Sequence, residues 1–378
     1  MANLSDKLNI VIKDPLFVLF KKELKNFKYL KENDKVIIST SGGVDSIALL
    51  YLIRALNKYR VYVAHINHKI RDDSDKDEKF VKNISKKMNY KFMTITLNPN
   101  SRLKSESIEK WGRDNRYSFL NKVLLDTRSK AIMTGHHAND QVETMLMNIS
   151  RGSGALGLRG IARKKGAVIR PFLNFKKKQI IDFSKRIQFK FCIDKTNNDI
   201  SIPRNFLRNK LIKPWEKEMD YIINGFQKTH KNFSEWQSAF DYFILNFIIP
   251  NIKISKYKFS IKKDYIMNLP KITKIRVVQL LVNNDENNLW SSHQINMLGN
   301  FFNTNIVGKT CLVRGNWNLL WDRDFIFGEK INTLSKNIVL NKDLKIKFNN
   351  YEIQLRLFNG KNDLIKKKYE IIDWSKIK

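Results

Sequence analysis

The string SGGVDS at positions 41 to 46 follows the β-branched run Val36 to Thr40 and opens an amphipathic stretch from Asp45 to Leu56. A hydrophobic strand, a tight glycine turn and a helix start in immediate succession leave few folds open, because a parallel sheet covered by helices is built from such units. The same alternation continues. Further strand-like runs lie at Val61 to Asn67, Phe92 to Leu97 and Ala131 to Thr134. Between them, apolar residues recur at helical spacing in Ser74 to Met88, Ser107 to Asp126 and Asn139 to Ile149. The pattern predicts a doubly wound α/β domain, whose ligands gather at the carboxyl ends of the strands.

At the end of the first strand the chemistry is that of an anion cradle. Gly42 and Gly43 let backbone N–H groups approach phosphate oxygens, Ser41 and Ser46 add hydroxyl donors, and the helix that runs from Ile47 onward contributes its positive end. Asp45 would repel a bare phosphate, which makes sense if Mg²⁺ bridges it to a pyrophosphate. A lysine at the Walker position is missing, as is a third glycine at the dinucleotide spacing, so neither a phosphoryl-transferring P-loop nor a redox Rossmann site fits.

Four other segments carry candidate side chains. HINHKIR places His65, Asn67, His68 and Arg71 after the second strand, where a histidine serves structure as often as it touches a nucleotide. In SIEKWGRDNRYSFL, Glu109, Arg113 and Arg116 share a helical face, which could equally be a solvated ion-pair stripe. TGHHANDQVETMLMNISRGSGALGLRGI sets Asp140 and Glu143 one turn apart, able to hold Mg²⁺ or to receive a substrate ammonium, ahead of a glycine-rich loop with Arg151 and Arg159. DKTNNDISIPRNFLRNKLIKP contributes Asp194, Thr196, Asn197, Arg204, Asn205 and Arg208, with the two arginines of the helix start placed to neutralise phosphate.

The SGGVDS loop resembles the pyrophosphate loop of the N-type ATP pyrophosphatases, the PP-loop superfamily. With GHH, ND-Q-ET, RGSG and GLRGI, and then DKTN and RN-x-x-R, the stretch from about 34 to 214 resembles the tRNA(Ile)-lysidine synthases. That resemblance implies a ligase that uses Mg²⁺ and ATP to adenylate the wobble cytidine of a CAU-anticodon isoleucine tRNA at C2. Free lysine then displaces AMP. The implied catalytic residues are Asp45, Asp140, Glu143 and Arg113, with Asp45 and Asp140 at the metal. ATP would lie on Ser41, Gly42, Gly43, Val44, Asp45, Ser46, His65 and Asn67. The tRNA and lysine would meet Glu109, Arg116, Arg151, Asn197, Arg204, Asn205 and Arg208. Thiolating relatives need a cysteine pair or an iron-sulfur cluster, and amide-forming relatives a cysteine nucleophile. Cys192 and Cys311, far apart in sequence, offer neither.

Four regions are expected: an N-terminal extension (1–33), the PP-loop ATP pyrophosphatase domain (34–214), a mainly helical tRNA-binding domain (215–337), and a short β-containing C-terminal module or remnant (338–378). The third domain of longer relatives is expected to be short or missing, which would bear on acceptor-stem recognition more than on chemistry. A formal charge of +34, from 70 basic against 36 acidic residues, favours a polyanionic partner, although AT-biased coding would also enrich Lys, Asn and Ile. With no run near the roughly 20 apolar residues of a membrane span and with two lone cysteines, a cytoplasmic enzyme without signal peptide or disulfide framework is expected. The oligomeric state stays open, a homodimer included.

Overall fold

A computed structural model describes residues 3–71, 73–103, 105–282, 290–304, 306–331, 345–348 and 351–354. Two helices come first, α1 (Leu4–Lys13) and α2 (Pro15–Leu24). Alternating strands and helices follow: β1 (Lys35–Ser39), α3 (Val44–Leu56), β2 (Arg60–Asn67), α4 (Ser74–Lys87), β3 (Lys91–Thr96), α5 (Ile108–Thr127), β4 (Ala131–Met133) and α6 (Ala138–Ser150). After α7 (Ala155–Leu158), β5 (Lys164–Lys165) and β6 (Val168–Ile169) come α8 (Lys177–Ile187), α9 (Pro203–Phe206) and α10 (Lys213–Glu218).

The strands form one sheet in the order β3-β2-β1-β4-β6-β5, parallel except for the β5–β6 pair. The chain steps outward from β1 to β2 and β3, then returns to the other side of β1 with β4. The strand order therefore reverses at the carboxyl ends of β1 and β4, the place where a crevice opens in such sheets.

Period-two alternation in β1 builds two cores. Val36 and Ile38 face a layer of α1, α2, α3 and α8, while Ile37 faces Trp111, Phe119, Leu120 and Val123 of α5. All three are fully buried, and truncating such a residue to Ala costs about 2–5 kcal/mol. The N-terminal residues expected as an extension are part of this cover. Val11, Leu16, Phe17 and Phe20 are buried against the sheet's helices. Asp14 closes α1 and caps α2, accepting from Leu16 N at 2.8 Å, and Arg186 of α8 grips the same carboxylate at 2.6 Å.

Beyond α10, helix α11 (Ile222–Phe243) runs on as a π-turn through Ile248. Then come β7 (Lys253–Ile254), β8 (Lys258–Lys262), α12 (Lys263–Met267), α13 (Lys271–Val282), α14 (Ser292–Phe302), β9 (Thr310–Val313), β10 (Trp317–Trp321) and β11 (Phe325–Lys330). The five strands make an antiparallel sheet, β7-β8-β11-β10-β9, over which Phe301, Phe302, Trp317, Leu319 and Trp321 are buried. The helical reading of this region leaves that sheet out, because its strands are only two to six residues long and follow a strong helical signal. Residues 331–378 form a separate unit, in which β12 (Lys345–Phe348) pairs antiparallel with β13 (Tyr351–Gln354). These strands lie within the LKIKF and YEIQLRLF segments, and the rest of the expected module is outside the described residues. Among the described residues no helix is long and apolar enough to cross a membrane.

Candidate active site

A cavity of about 340 Å³ opens at the switch point. One wall is the turn between β1 and α3. Gly42 sits at φ +93°, a conformation open to glycine and strained for other residues, and a Cβ there would lie 3.2 Å from Cys192 Sγ. The backbone carbonyl of Gly42 accepts from Cys192 N at 2.9 Å, which pins the turn from outside. Ser46 Oγ accepts from Gly42 N at 3.2 Å and donates to Gly43 O at 2.9 Å, while Gly43 N donates to Ser41 Oγ at 3.4 Å. Gly43 precedes α3 without a side-chain cap, so the helix's first N–H groups are left for a ligand. Val44 is buried as the helix's first residue. Ser41, Asp45 and Ser46 line the cavity. Gly135, at the end of β4, comes so close that a Cβ would stand 3.1 Å from Asp45 Cβ.

Asp45 itself is engaged. Lys177 Nζ lies 2.6 Å from both of its carboxylate oxygens, and His137 Nε2 stands 3.8 Å from Oδ1. The other nitrogen of His137 faces Asp140 Oδ2 at 3.5 Å, so one buried imidazole touches both carboxylates. His137 and Asp140 also close the start of α6 reciprocally: His137 N donates to Asp140 Oδ2 at 2.9 Å and Asp140 N to His137 Nδ1 at 3.4 Å.

The opposite wall is assembled from distant segments. Glu143 is 1% exposed, and its Oε1 and Oε2 accept from Arg208 Nε and Arg204 Nε, each at 2.6 Å. Arg204 also donates to Asp140 Oδ1 at 3.1 Å. Burial alone would raise the Asp140 carboxyl, but His137 and Arg204 outweigh it and hold it well below the usual carboxylate range. Arg208 continues to Asn197 Oδ1 at 3.2 Å, and Asn205 Nδ2 donates to the carbonyls of Thr196 (2.9 Å) and Asp199 (3.1 Å). Asp194, which caps this turn by accepting from Thr196 N at 3.0 Å, is reached by Arg71 at 2.8 Å, and Arg71 also pairs with Asp77. The loop of residues 194–199 is thus stitched to both α9 and the end of β2.

On the floor, His65 is buried with Nδ1 2.9 Å from Thr40 O, tying β2 to β1. Asn67 donates to Asp75 (2.7 Å) and Glu78 (2.9 Å) and accepts from Lys69 N, so its whole amide is committed to the β2–α4 turn. Tyr117 lines the cavity with Arg116 and bonds Arg170, a residue 5% exposed whose Nε is buried without a hydrogen-bond partner among the described residues. Burial would raise the Tyr117 phenol; Arg170, Arg116 and Arg113 outweigh it and lower it. Burial, helped by Arg170, Arg116 and Arg204 against the pull of Asp140, pushes His136 down to about 3, and burial with Arg116 takes His68 to about 4.

The structure brings together Ser41, Asp45, Ser46, His65, Asn67, Arg116 and Asp140 around one cavity, with Glu143, Asn197, Arg204, Asn205 and Arg208 directly behind. Arg113 is exposed, 5.9 Å over the Tyr117 ring, and Glu109 is exposed on the first turn of α5. Arg151 is exposed at the opposite end of α6 from Asp140. Lys177, His137, Tyr117 and Arg170 were not singled out by sequence. The doubled histidine of TGHH and the basic run Lys176 to Lys178 are the signals that point to the first two.

A divalent ion can be tested against these side chains. Among the described residues no group of three His, Cys, Asp or Glu side chains is placed to hold a metal alone. Mg²⁺ takes one or two carboxylates and completes its shell with water and phosphate oxygens. Asp45 fits that role once the Lys177 side chain gives up its two oxygens, since it borders both the cavity and the Ser41 to Ser46 turn. Asp140 fits it poorly, because Arg204 holds one oxygen and His137 N the other.

A family model described as a PP-loop domain matches residues 16–215. The tRNA(Ile)-lysidine synthase of Thermosipho africanus is 34% identical over 209 residues, covering 54% of this chain and 49% of that protein. That of Clostridium tetani is 32% identical over 282 residues (72% and 60%), and that of Mycoplasma mycoides 27% over 280 residues (68% and 69%). The chain spans about half the length of the Thermosipho and Thermotoga relatives it matches. The U34-tRNA thiolase NcsA from Methanococcus maripaludis aligns with a TM-score of 0.47 at 15% identity, over 57% of this chain and 80% of that one. A glycine turn, an uncapped helix start and a sheet that reverses its order at that point coincide with a match over more than half of the sequence, and the chain belongs to the PP-loop family.

Proposed function

We propose that this protein ligates free lysine to C2 of the wobble cytidine in a CAU-anticodon isoleucine tRNA, consuming ATP and releasing AMP and diphosphate. The observation that carries the reading is the two-walled cavity. An anion cradle for pyrophosphate faces a wall of arginines and a carboxylate, the charges that adenylation of an RNA base and attack by an ammonium-bearing nucleophile require. The names of the tRNA(Ile)-lysidine synthases it resembles agree with it, as does the excess of positive charge.

In this reading the Ser41 to Ser46 turn holds the β and γ phosphates, and Asp45 holds the Mg²⁺ that neutralises their charge. The cytidine O2 attacks the α-phosphorus, and the bond to the leaving diphosphate breaks. Arg113, Arg116 and Arg204 stabilise the charge that develops there and on the RNA backbone. The lysine amine then attacks C2 and loses a proton, and the C2–O bond breaks to release AMP, a far better leaving group than the unactivated exocyclic O2. Asp140, the carboxylate that faces the cavity, orients the amine. Glu143 acts one step behind, holding Arg204 and Arg208 in place. Bases of a single-stranded anticodon loop reach such a pocket at modest unstacking cost.

Omission assays test the reading. Sustained AMP formation is expected only when ATP, Mg²⁺, isoleucine tRNA and lysine are all present. Sustained AMP formation with tRNA but without lysine would assign another nucleophile.

A further inference from the structure

The carboxylate proposed to hold the metal already carries a cation. Lys177 Nζ is 2.6 Å from both oxygens of Asp45, and each side chain is only about a third exposed, at 32% and 26%. The base of that lysine is fixed. Its backbone N–H donates to Asn139 Oδ1 at 2.9 Å, and Asn139 Nδ2 donates in turn to Glu216 Oε2 at 2.9 Å. The ammonium at the tip is held by Asp45 alone among the described contacts, so the stem can turn without disturbing α8.

With the ammonium on both oxygens of Asp45, a divalent cation that approaches the same carboxylate meets strong repulsion in a half-buried site, so the two compete for it. We propose that Lys177 is the resident counter-cation of Asp45 and exchanges with Mg²⁺: the ion takes the carboxylate as the ammonium moves onto the polyphosphate that arrives with it. The Ser41 to Ser46 cradle borders Asp45, and a four-carbon stem with three rotatable donors spans such a shift by side-chain rotation alone. The exchange has two consequences. Without nucleotide, Lys177 keeps divalent ions off Asp45. With nucleotide, metal and ATP bind cooperatively, each making room for the other. The inference rests on the reading of Asp45 as the metal-holding residue of an ATP site; it does not depend on the tRNA or on lysine as nucleophile.

The test uses the full chain as wild type, Lys177→Met and Lys177→Arg, with thermal melting to establish that each is folded. Binding of Mn²⁺ without nucleotide is followed by electron paramagnetic resonance, and binding of ATP in EDTA by calorimetry. Lys177→Met is expected to bind Mn²⁺ about tenfold tighter and metal-free ATP about tenfold weaker than wild type, the scale of one partly buried ion pair. Lys177→Arg keeps the charge and is expected within about threefold of wild type in both. Adding Asp45→Asn to Lys177→Met removes the Mn²⁺ gain. Either affinity unchanged in Lys177→Met overturns the exchange: unchanged Mn²⁺ binding means the lysine does not guard the carboxylate, and unchanged ATP binding means that it does not travel to the phosphates. Failure to incorporate lysine into tRNA, with both shifts present, would sink the substrate assignment and leave the exchange standing.

Discussion

The two walls of the cavity are made in opposite ways. The cradle is one continuous segment of eight residues, Ser39 to Ser46, whose shape follows from glycine geometry, hydroxyl bonds and a helix start. The facing wall draws Arg116 from α5, Asp140 and Glu143 from α6, Arg170 from the end of β6, and Arg204 from α9, and none of these has its shape without the others. A contiguous wall can tolerate loss of one hydroxyl. An assembled one, with two guanidiniums hung on a single buried carboxylate, fails as a unit.

The sharpest way to separate the walls is Asp45→Ala, which removes the proposed metal-holding group and leaves the arginine wall intact. ATP turnover should fall by at least about a hundredfold, as for loss of a principal transition-state contact, while tRNA retention on filters stays within a few fold. Equal loss of RNA binding would mean that the walls are not separable. Glu143→Gln attacks the other side. It strips the charge that holds Arg204 and Arg208, and breaking such a buried arrangement costs about 3 kcal/mol of folding stability, measurable by urea denaturation. Turnover should drop with little change in affinity for ATP.

Gly42→Ala probes the cradle's backbone. At φ +93° a Cβ costs about 1–2 kcal/mol, and here it also meets Cys192 Sγ, so the KM for ATP should rise several-fold with RNA affinity unchanged. A separate effect is expected in acid, on stability rather than on turnover. The folded-state pKa of His136 is about 3 and that of His68 about 4, against the ordinary 6.5. Between those limits the unfolded chain binds protons that the folded chain refuses, so stability declines as pH falls from about 6.5 and the loss from these two groups levels off below about 3. The depressed Asp140 carboxyl adds loss of the same sign at lower pH. His136→Asn should flatten the slope of denaturation midpoint against pH between 6 and 4, compared with wild type, and an unchanged slope would show that the imidazole is not held neutral by burial.

How much the sequence revealed follows the same division. The sheet order's origin was readable because β1, β2, β3 and β4 each carry a short β-branched run, and the observed strands begin and end within a residue or two of those runs. The SGGVDS turn was readable because its geometry is local, set by two glycines, two hydroxyls and a helix start. Asp140, Glu143, Arg204 and Arg208 were readable as candidates, but their pairing spans some sixty positions, and nothing local says that Glu143 faces two arginines rather than solvent. Lys177 was hidden in a basic run where Lys176 and Lys178 look equivalent; only the docking of α8 beside α3 singles it out. Tyr117 and Arg170 lie 53 positions apart and meet because β6 ends next to α5 across the sheet. The antiparallel sheet after α11 was missed for a different reason, since its strands gain their meaning from pairing partners rather than from length.

The most direct test of the central claim is incorporation of labelled lysine into CAU-anticodon isoleucine tRNA in the presence of ATP and Mg²⁺, with CAU-anticodon methionine tRNA as the matched control. Label in the isoleucine tRNA alone, at stoichiometry approaching one per molecule, is the expected result. No label in either tRNA, from folded protein that still binds ATP, would contradict the proposed function and leave an adenylating PP-loop scaffold in search of another nucleophile.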